Sequence, residues 1–183
     1  MTTLSQSLSL PRRTALLGIV GFAAAVAAAS QIAIPIPHTP VPITLQPMLV
    51  VLAGLMLGPV AGFASMVLYL AAGAAGLPVF TPIGAPGLAR FVGPTGGYLI
   101  AYPAAAFIAG FLAARGRGFA ARWLAAVAGI AVIYIGGIAQ LSILSGSLAR
   151  AFVLGITPFA AFDLVKAIVA AALSGPRLTR RST

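Results

Sequence analysis

The chain of 183 residues contains no cysteine, one acidic residue and one histidine. Without cysteine it has no disulfide framework and no thiolate metal site, and one histidine with one acid supplies too few ligands for a convincing metal centre. General acid–base and nucleophilic catalysis also have few side chains to use, and the chain has no nucleotide-binding loop motif. These absences argue against an enzyme, and in particular against ATP hydrolysis by the chain itself.

Charged residues are scarce as a class, because they make up 7% of the chain whereas soluble domains contain about 25%. Hydrophobic residues make up 61%, which indicates an all-α integral membrane protein in contact with lipid, and the length suits one membrane domain, residues 1–183. The net charge of +10 does not indicate a nucleic-acid partner, because the arginines cluster at the ends of apolar runs, as the loop charges of membrane proteins do.

Six apolar runs predict six helices, at about 14–34, 43–57, 59–75, 95–114, 123–144 and 157–173. The first run is long for the core of a signal peptide, so we interpret it as a retained helix, with a cleaved signal peptide as the alternative. The second and third runs are short for a full crossing and either tilt or enter and leave on one side. Thr157 is predicted to cap the last helix, with Pro158 in its first turn.

Proline and glycine mark the irregular segments. Residues 35–42 contain four prolines and the only histidine, His38, which we interpret as a loop residue. Residues 76–94 form the longest irregular segment, typical of a lid or binding loop. Arg90 is its only charge, and pairing with a ligand carboxylate and simple solvation explain it equally well. Gly96 and Gly97 open the next helix, where backbone N–H groups are free to bind an anion.

The distribution of arginines predicts the orientation in the membrane. With six helices and the N-terminus inside, eight arginines fall in inner segments and two in outer segments. Both termini are therefore expected to be cytoplasmic, and the 76–94 loop is expected to be outside. The inner arginines are Arg12, Arg13, Arg115, Arg117, Arg122, Arg177, Arg180 and Arg181, and the outer ones are Arg90 and Arg150.

Asp163 and Lys166 are the only acidic residue and the only lysine, and they lie three residues apart in the last apolar run. On a helix that spacing places both side chains on one face. An ionisable side chain near the centre of a membrane span costs at least about 2.5–3.5 kcal/mol, so such residues usually face a protein interior or a wet cavity and are candidates for function. A self-neutralising ion pair that only fixes the last helix is the structural alternative.

Five sequence blocks occur in order, at residues 41–46, 54–62, 76–80, 93–99 and 163–167. In combination they resemble the BioY family, the biotin-specific substrate-capture (S) components of energy-coupling-factor (ECF) transporters, over nearly the whole chain from about Thr14. The resemblance implies a six-helix S-component bundle in the bacterial cytoplasmic (inner) membrane. It also implies cytoplasmic termini and a biotin site near the outer face, covered by the structured outer loop after helix 3.

The resemblance also implies specific contacts. Asp163 and Lys166 are carried over as ligand contacts. A physical account of biotin capture then predicts that they meet the ureido group. It also predicts that Arg90, the N–H groups from Thr95 through Gly96 and Gly97, or outer water holds the carboxylate, and that aromatic and aliphatic side chains line the ring. A stripe of small residues on the first helix would dock against a transmembrane coupling protein of the EcfT type, and two ABC ATPase subunits would complete the transporter. Biotin is then cargo and no cofactor is expected. The proposed walls are Phe80, Phe91, Tyr98 and Phe162, and the stripe includes Ala23, Ala24, Ala27 and Ala28.

Two questions stay open at the level of sequence. A stand-alone facilitator or transporter for biotin or a related small molecule is the alternative function, and it would need a continuous polar path through the bundle. Self-association into homo-oligomers is also left open.

Overall fold

A computed structural model describes residues 12–175 as a bundle of α-helices. Within that range there is no β-strand, only one isolated antiparallel bridge between Ile34 and Ile43. A short 3-10 helix, Gly87–Val92, lies in the long loop, residues 75–95, that joins the third and fourth helices. The predicted all-α architecture is confirmed. The helices are α1 Arg12–Ser30, α2 Gln46–Leu57, α3 Pro59–Ala74, α4 Gly96–Arg115, α5 Gly118–Ser145, α6 Leu148–Gly155 and α7 Ala160–Leu173.

Several helices are long and apolar enough to cross a membrane. Among the described residues α1, α4 and α5 qualify alone, and α6 with α7 qualifies as one broken span bent by 55°. Helices α2 and α3 are apolar but contain 12 and 16 residues, about 18 and 24 Å against a hydrocarbon core of about 30 Å. The chain is therefore a multi-pass membrane protein with three to four such spans by length and composition. The count of six crossings stays a prediction.

The start of the last helix differs from the prediction. Thr157 does not cap it, because its hydroxyl donates back to the carbonyl of Phe152 at 3.4 Å and α7 begins only at Ala160. The preceding segment, predicted as a loop, contains α6, whose N-cap Ser147 accepts a hydrogen bond from a backbone N–H. The break between α6 and α7 therefore places Asp163 in the first turn of α7.

The two ends of the bundle differ in charge. Helix α1 ends beside the long loop, since the Ser30 hydroxyl donates to the carbonyl of Val79 at 2.6 Å, and α4 begins at the other end of that loop. At the opposite end Arg122 donates to the carbonyl of Ala171 at 3.1 Å, close to the end of α7. Arginine side chains cluster at this end, in agreement with the uneven distribution of arginines in the sequence. The orientation of the chain in the membrane stays a prediction. The charged side chains at that end are Arg13, Arg115, Arg117 and Arg122.

Glycine allows α2 and α4 to cross in close contact. A Cβ added at Gly54 of α2 would lie 2.1 Å from the carbonyl oxygen of Ala106 on α4, and one added at Gly110 would lie 2.7 Å from the carbonyl oxygen of Gly54. Gly58 is the C-cap of α2, and its φ of 86° is readily adopted only by glycine. Helix α3 begins at the next residue. Small residues at helix contacts let backbones approach closely in membranes, where lipid is as apolar as the interior.

Gly54→Ala is expected to destabilise the fold by about 1–3 kcal/mol, because the new methyl group meets backbone that cannot rotate away. Gly21→Ala on α1 is the matched control, since nothing lies within 4 Å of its added Cβ, and alanine favours a helix. Thermal unfolding of the detergent-purified variants measures the difference. Equal melting temperatures for the two variants would contradict the close crossing of α2 and α4.

Candidate functional site

Asp163 and Lys166 form an ion pair inside the bundle, with Lys166 Nζ 2.7 Å from Asp163 Oδ1. Both residues are buried, with 5% and 9% of their surface exposed. The N-terminal end of a helix carries partial positive charge, so the first turn of α7 favours the Asp163 carboxylate. Buried charges must be paired to be tolerated. The pair is therefore a self-neutralised charged centre in an otherwise apolar helix.

Tyr134 of α5 supplies the second hydrogen bond to the Asp163 carboxylate, because its hydroxyl donates to Oδ2 at 2.5 Å. That distance is typical of a charge-assisted O–H···O bond. The terminal torsion of an aspartate is broad, so a donor on each oxygen fixes the plane of the carboxylate.

Across residues 12–175 no three His, Asp or Glu side chains lie close enough to hold a metal ion.

A cavity of about 60 Å³ lies beneath the long loop. Asp163 and Lys166 do not line it, but its wall includes Ile133, the chain neighbour of Tyr134. Tyr98 and Tyr102 of α4 also line the cavity and lie close enough to Asp163 to interact with its charge. Asp163 therefore lies within electrostatic range of Tyr98 and Tyr102 in the cavity wall, but it does not line the cavity itself.

Polar groups are few in the cavity wall and most are already paired. The Gln46 amide donates to the Tyr69 hydroxyl at 2.8 Å, the Thr44 hydroxyl lies 3.2 Å from Gln46 Oε1, and the Tyr98 hydroxyl donates to the carbonyl of Gly155 at 3.0 Å. The Tyr102 hydroxyl makes no hydrogen bond within the described residues. Aromatic and aliphatic surface with a few placed polar groups is typical of small-molecule sites.

A larger groove of about 430 Å³ lies between α3 and α4, lined by Val60, Phe63, Ala104, Phe107 and Ile108. All of these side chains are apolar, and the groove contains no group that could orient a polar ligand. The smaller cavity is therefore the candidate ligand site, because polar groups line it and its Tyr98 and Tyr102 lie within electrostatic range of Asp163.

Arg90 does not lie free to meet a ligand carboxylate. The residue is 4% exposed, and its guanidinium donates to the backbone carbonyls of Thr81 and Ile83 within the long loop. Burial lowers the pKa of the Arg90 guanidinium, and its Nε atom has no hydrogen-bond partner among the described residues. Gly84 makes room for the side chain, since a Cβ there would lie 2.6 Å from Nη1. Arg90 thus braces the loop.

Gly96 and Gly97 are pressed against protein backbone. A Cβ on Gly96 would lie 2.1 Å from the carbonyl oxygen of Phe91, and one on Gly97 would lie 2.1 Å from the carbonyl oxygen of Gly136. The Gly96 N–H already donates to the carbonyl of Gly93 at 3.0 Å. These contacts give both glycines a packing role at the start of α4, and their contact with a ligand anion stays a prediction.

The predicted aromatic walls divide into two groups. Phe80 and Tyr98 line the cavity, and Phe91 lies behind Phe80 with its ring edge-on at a centroid distance of 5.6 Å. Phe162 is 56% exposed on the outside of the bundle, because successive residues of a helix point about 100° apart and its neighbour Asp163 points inward. Phe162 therefore does not line the cavity in this structure, and its contact with ligand stays a prediction. His38 is also exposed, at a φ of 70°.

The small-residue stripe of α1 is split between two faces. Ala24 and Ala28 are exposed, so they are available to a partner helix. Ala23 is 8% exposed and belongs to the core, and Ala27 packs against that core. A partner docking on the exposed face of α1 would therefore meet Ala24 and Ala28, while docking of a partner on this stripe stays a prediction.

Two candidate site residues, Tyr102 and Tyr134, were not predicted from the sequence. Tyr102 follows Tyr98 by four residues, a spacing that places both on one face of α4 and could have identified it. Tyr134 gives no such signal, because its partner Asp163 lies 29 residues further along the chain.

The fold and the site define a multi-pass helical membrane protein with a small cavity beside a buried charged pair. The family model that describes the BioY family matches residues 2–182. The chain belongs to the BioY family.

Proteins similar to this chain match it over most of its length. A protein of Pyrococcus horikoshii named probable biotin transporter BioY is 44% identical over 81% of this chain and 86% of its own length. The biotin transporter BioY of Thermotoga maritima is 38% identical over 77% of this chain and 83% of its own. The crystal structure of an S component for biotin from an ECF-type ABC transporter superposes with a TM-score of 0.82 at 28% identity, covering 91% of this chain and 93% of that one.

Breaking the ion pair from one side is expected to be more harmful than removing both charges. Lys166→Met or Asp163→Asn alone leaves one buried charge without its partner and should cost about 3–5 kcal/mol of stability. The double variant removes both charges and should recover part of that loss, because no uncompensated charge stays buried. Thermal unfolding of the three variants measures the coupling, and strictly additive losses would contradict a self-neutralised pair.

Proposed function

We propose that the chain binds biotin from the outer face of a bacterial cytoplasmic membrane and serves as the S component of an ECF-type ABC transporter. The observation that carries this proposal is the buried Asp163–Lys166 pair beside an aromatic cavity. Membership of the BioY family supports it, as do the names of the relatives and the likeness to an S component for biotin.

The Asp163–Lys166 pair is complementary to the ureido end of biotin. A cyclic urea presents a carbonyl acceptor next to N–H donors, and a lysine beside an aspartate presents a donor next to an acceptor. Lys166 donates to the ureido carbonyl and Asp163 accepts a ureido N–H. Because the two charges neutralise each other before and after binding, the ligand adds no unpaired charge to the interior. Tyr134 keeps the Asp163 carboxylate in one plane while the ureido group binds.

The ligand must displace part of the cavity wall to reach the pair. A volume of about 60 Å³ is well below the roughly 300–1,000 Å³ of small-molecule sites, so the long loop and the Tyr102 side chain shift when biotin enters. The bicycle then lies against Phe80 and Tyr98, and the unpaired Tyr102 hydroxyl becomes a further donor to the ligand. The carboxylate of biotin lies towards the long loop, where Arg90 can reach it only by exchanging its carbonyl partners Thr81 and Ile83.

The exposed small residues of α1 support a role in assembly. Ala24 and Ala28 leave a shallow surface on which another helix can approach closely. In an ECF transporter the partner would be the transmembrane coupling protein, with two ATPase subunits supplying the energy. The chain itself supplies ligand recognition.

Purified wild-type protein is expected to bind biotin, and Asp163→Asn should bind it at least about 30-fold more weakly. Losing one member of a buried hydrogen-bonded charge pair costs about 2–5 kcal/mol of binding energy or more. Arg150→Gln is a matched control, because it removes an exposed charge outside the site. Isothermal titration in detergent measures binding, and a melting curve confirms that each variant is folded. A folded wild type that does not bind biotin would overturn the proposal.

Ala24→Leu with Ala28→Leu is expected to reduce co-purification with the coupling protein and ATPases severalfold while leaving biotin binding unchanged. The larger side chains hold the partner helix away from the α1 backbone. Ala131→Leu on α5 is the control, since it makes the same change at another exposed alanine. Equal yields of complex from both variants would place the docking surface elsewhere.

A further inference from the structure

Gln140 of α5 holds the 3-10 helix of the long loop from the side. Its amide nitrogen lies 2.8 Å from the carbonyl oxygen of Phe91 and 2.7 Å from that of Gly93. Both acceptors are carbonyl oxygens, so the NH₂ group must face them and both of its N–H bonds are used. The last carbonyls of a helix lack partners within it. Gln140 therefore caps the 3-10 helix from a point 47 and 49 residues away in the chain.

Gly96 makes this contact sterically feasible. A Cβ on Gly96 would lie 2.8 Å from the Gln140 amide nitrogen and 2.1 Å from the Phe91 carbonyl oxygen, and would push the donor and the acceptor apart. The glycine that the sequence suggested as an anion contact therefore makes space for the Gln140 contact.

Phe91 connects the segment held by Gln140 to the cavity through its contact with Phe80. Its ring meets Phe80 edge-on, and Phe80 meets Tyr69 in the same manner at a centroid distance of 5.5 Å. Phe80 lines the cavity and is 6% exposed, and its ring fills the space where a Cβ on Gly73 would lie, 2.1 Å from the ring. Fixing the backbone of Phe91 thus fixes the roof of the cavity, defined here as Phe80 and Phe91.

The first half of the long loop has a separate anchor. Ser30 of α1, which is fully buried, donates to the carbonyl of Val79 at 2.6 Å, and Arg90 braces the middle of the loop internally. Gln140 is the anchor that joins the second half to α5. Because the cavity is smaller than a biotin-sized ligand, part of its wall, which includes Phe80 of the roof, must move when ligand enters or leaves.

We infer that Gln140 is a positioning residue that holds the roof closed and sets the rate at which ligand enters and leaves the cavity. The inference rests on the proposed function, in which biotin is the ligand. Within residues 12–175 the Gln140 side chain hydrogen-bonds only to the loop, so it stabilises the closed roof with and without ligand. Loss of its two hydrogen bonds should therefore raise the association and dissociation rate constants by similar factors and leave the equilibrium constant nearly unchanged.

The test compares Gln140→Met, which removes both donors and keeps the volume, with Gln140→Glu, which turns acceptors towards the two carbonyls. Rate constants for biotin are measured by stopped flow and by chase of labelled biotin from the full chain in nanodiscs. Gln140→Met should raise both constants about 10-fold, since two neutral hydrogen bonds are lost, and Gln140→Glu should raise them further. Ser142→Ala, which removes a hydroxyl bonded to the Ala139 carbonyl within α5, should leave both constants unchanged.

A second readout needs no biotin. Hydrogen exchange of residues 84–97 in the ligand-free chain should be faster in Gln140→Met than in wild type or Ser142→Ala, with unchanged exchange in the cores of α2 and α4. If wild type fails to bind biotin, the proposed function fails, while the exchange experiment still tests the anchor. If residues 84–97 of Gln140→Met exchange hydrogen at the wild-type rate, the inference is overturned. A rise in the dissociation constant alone, without faster association, would make Gln140 a ligand contact and overturn it too.

Should Gln140→Met fail to fold, Gln140→Asn keeps the amide but is one methylene too short to reach both carbonyls. It should give the same paired rise in the two rate constants. Wild-type constants and wild-type loop exchange in folded Gln140→Asn would overturn the inference.

Discussion

The Asp163–Lys166 ion pair is the interaction on which the rest of the site depends. Attraction between opposite charges is much stronger in an apolar interior than in water, and so is the cost of leaving either one alone. The pair can persist only where protein, and not lipid, surrounds it. That requirement fixes which face of α7 turns inward, and it brings Tyr134 of α5 against the second carboxylate oxygen.

The break before α7 supports the same arrangement. A straight helix from residue 157 would place Asp163 within its second turn, whereas the observed start at Ala160 places it in the first turn. There the partial positive charge of the helix end favours a carboxylate. The bend of 55° between α6 and α7 thus reduces the cost of burying the only acidic side chain, and it leaves Lys166 one turn further along to balance the charge.

Close backbone contacts and side-chain anchors perform different tasks in this bundle. Glycines such as Gly54 and Gly97 bring helices together where lipid offers no hydrophobic contrast. The long loop also depends on individual side-chain donors, among them Ser30, Gln31, Arg90 and Gln140, to satisfy its carbonyls. A few hydrogen bonds of modest strength can be broken and remade, which suits a roof over a ligand site in a BioY-family protein.

The sequence by itself determined the class of protein, the all-α fold, the long loop and the position of the charged pair. Composition, apolar run length and i, i+3 spacing are local properties, and they do not depend on how the neighbouring helices pack. Only the tertiary structure decided that Tyr134 meets Asp163, that Gln140 reaches Phe91 and Gly93, and that α6 precedes a late start of α7. It also separated inward Ala23 from outward Ala24. These outcomes depend on how helices rotate against each other and on partners 29 to 49 residues apart, and a periodic pattern does not encode which surfaces will meet.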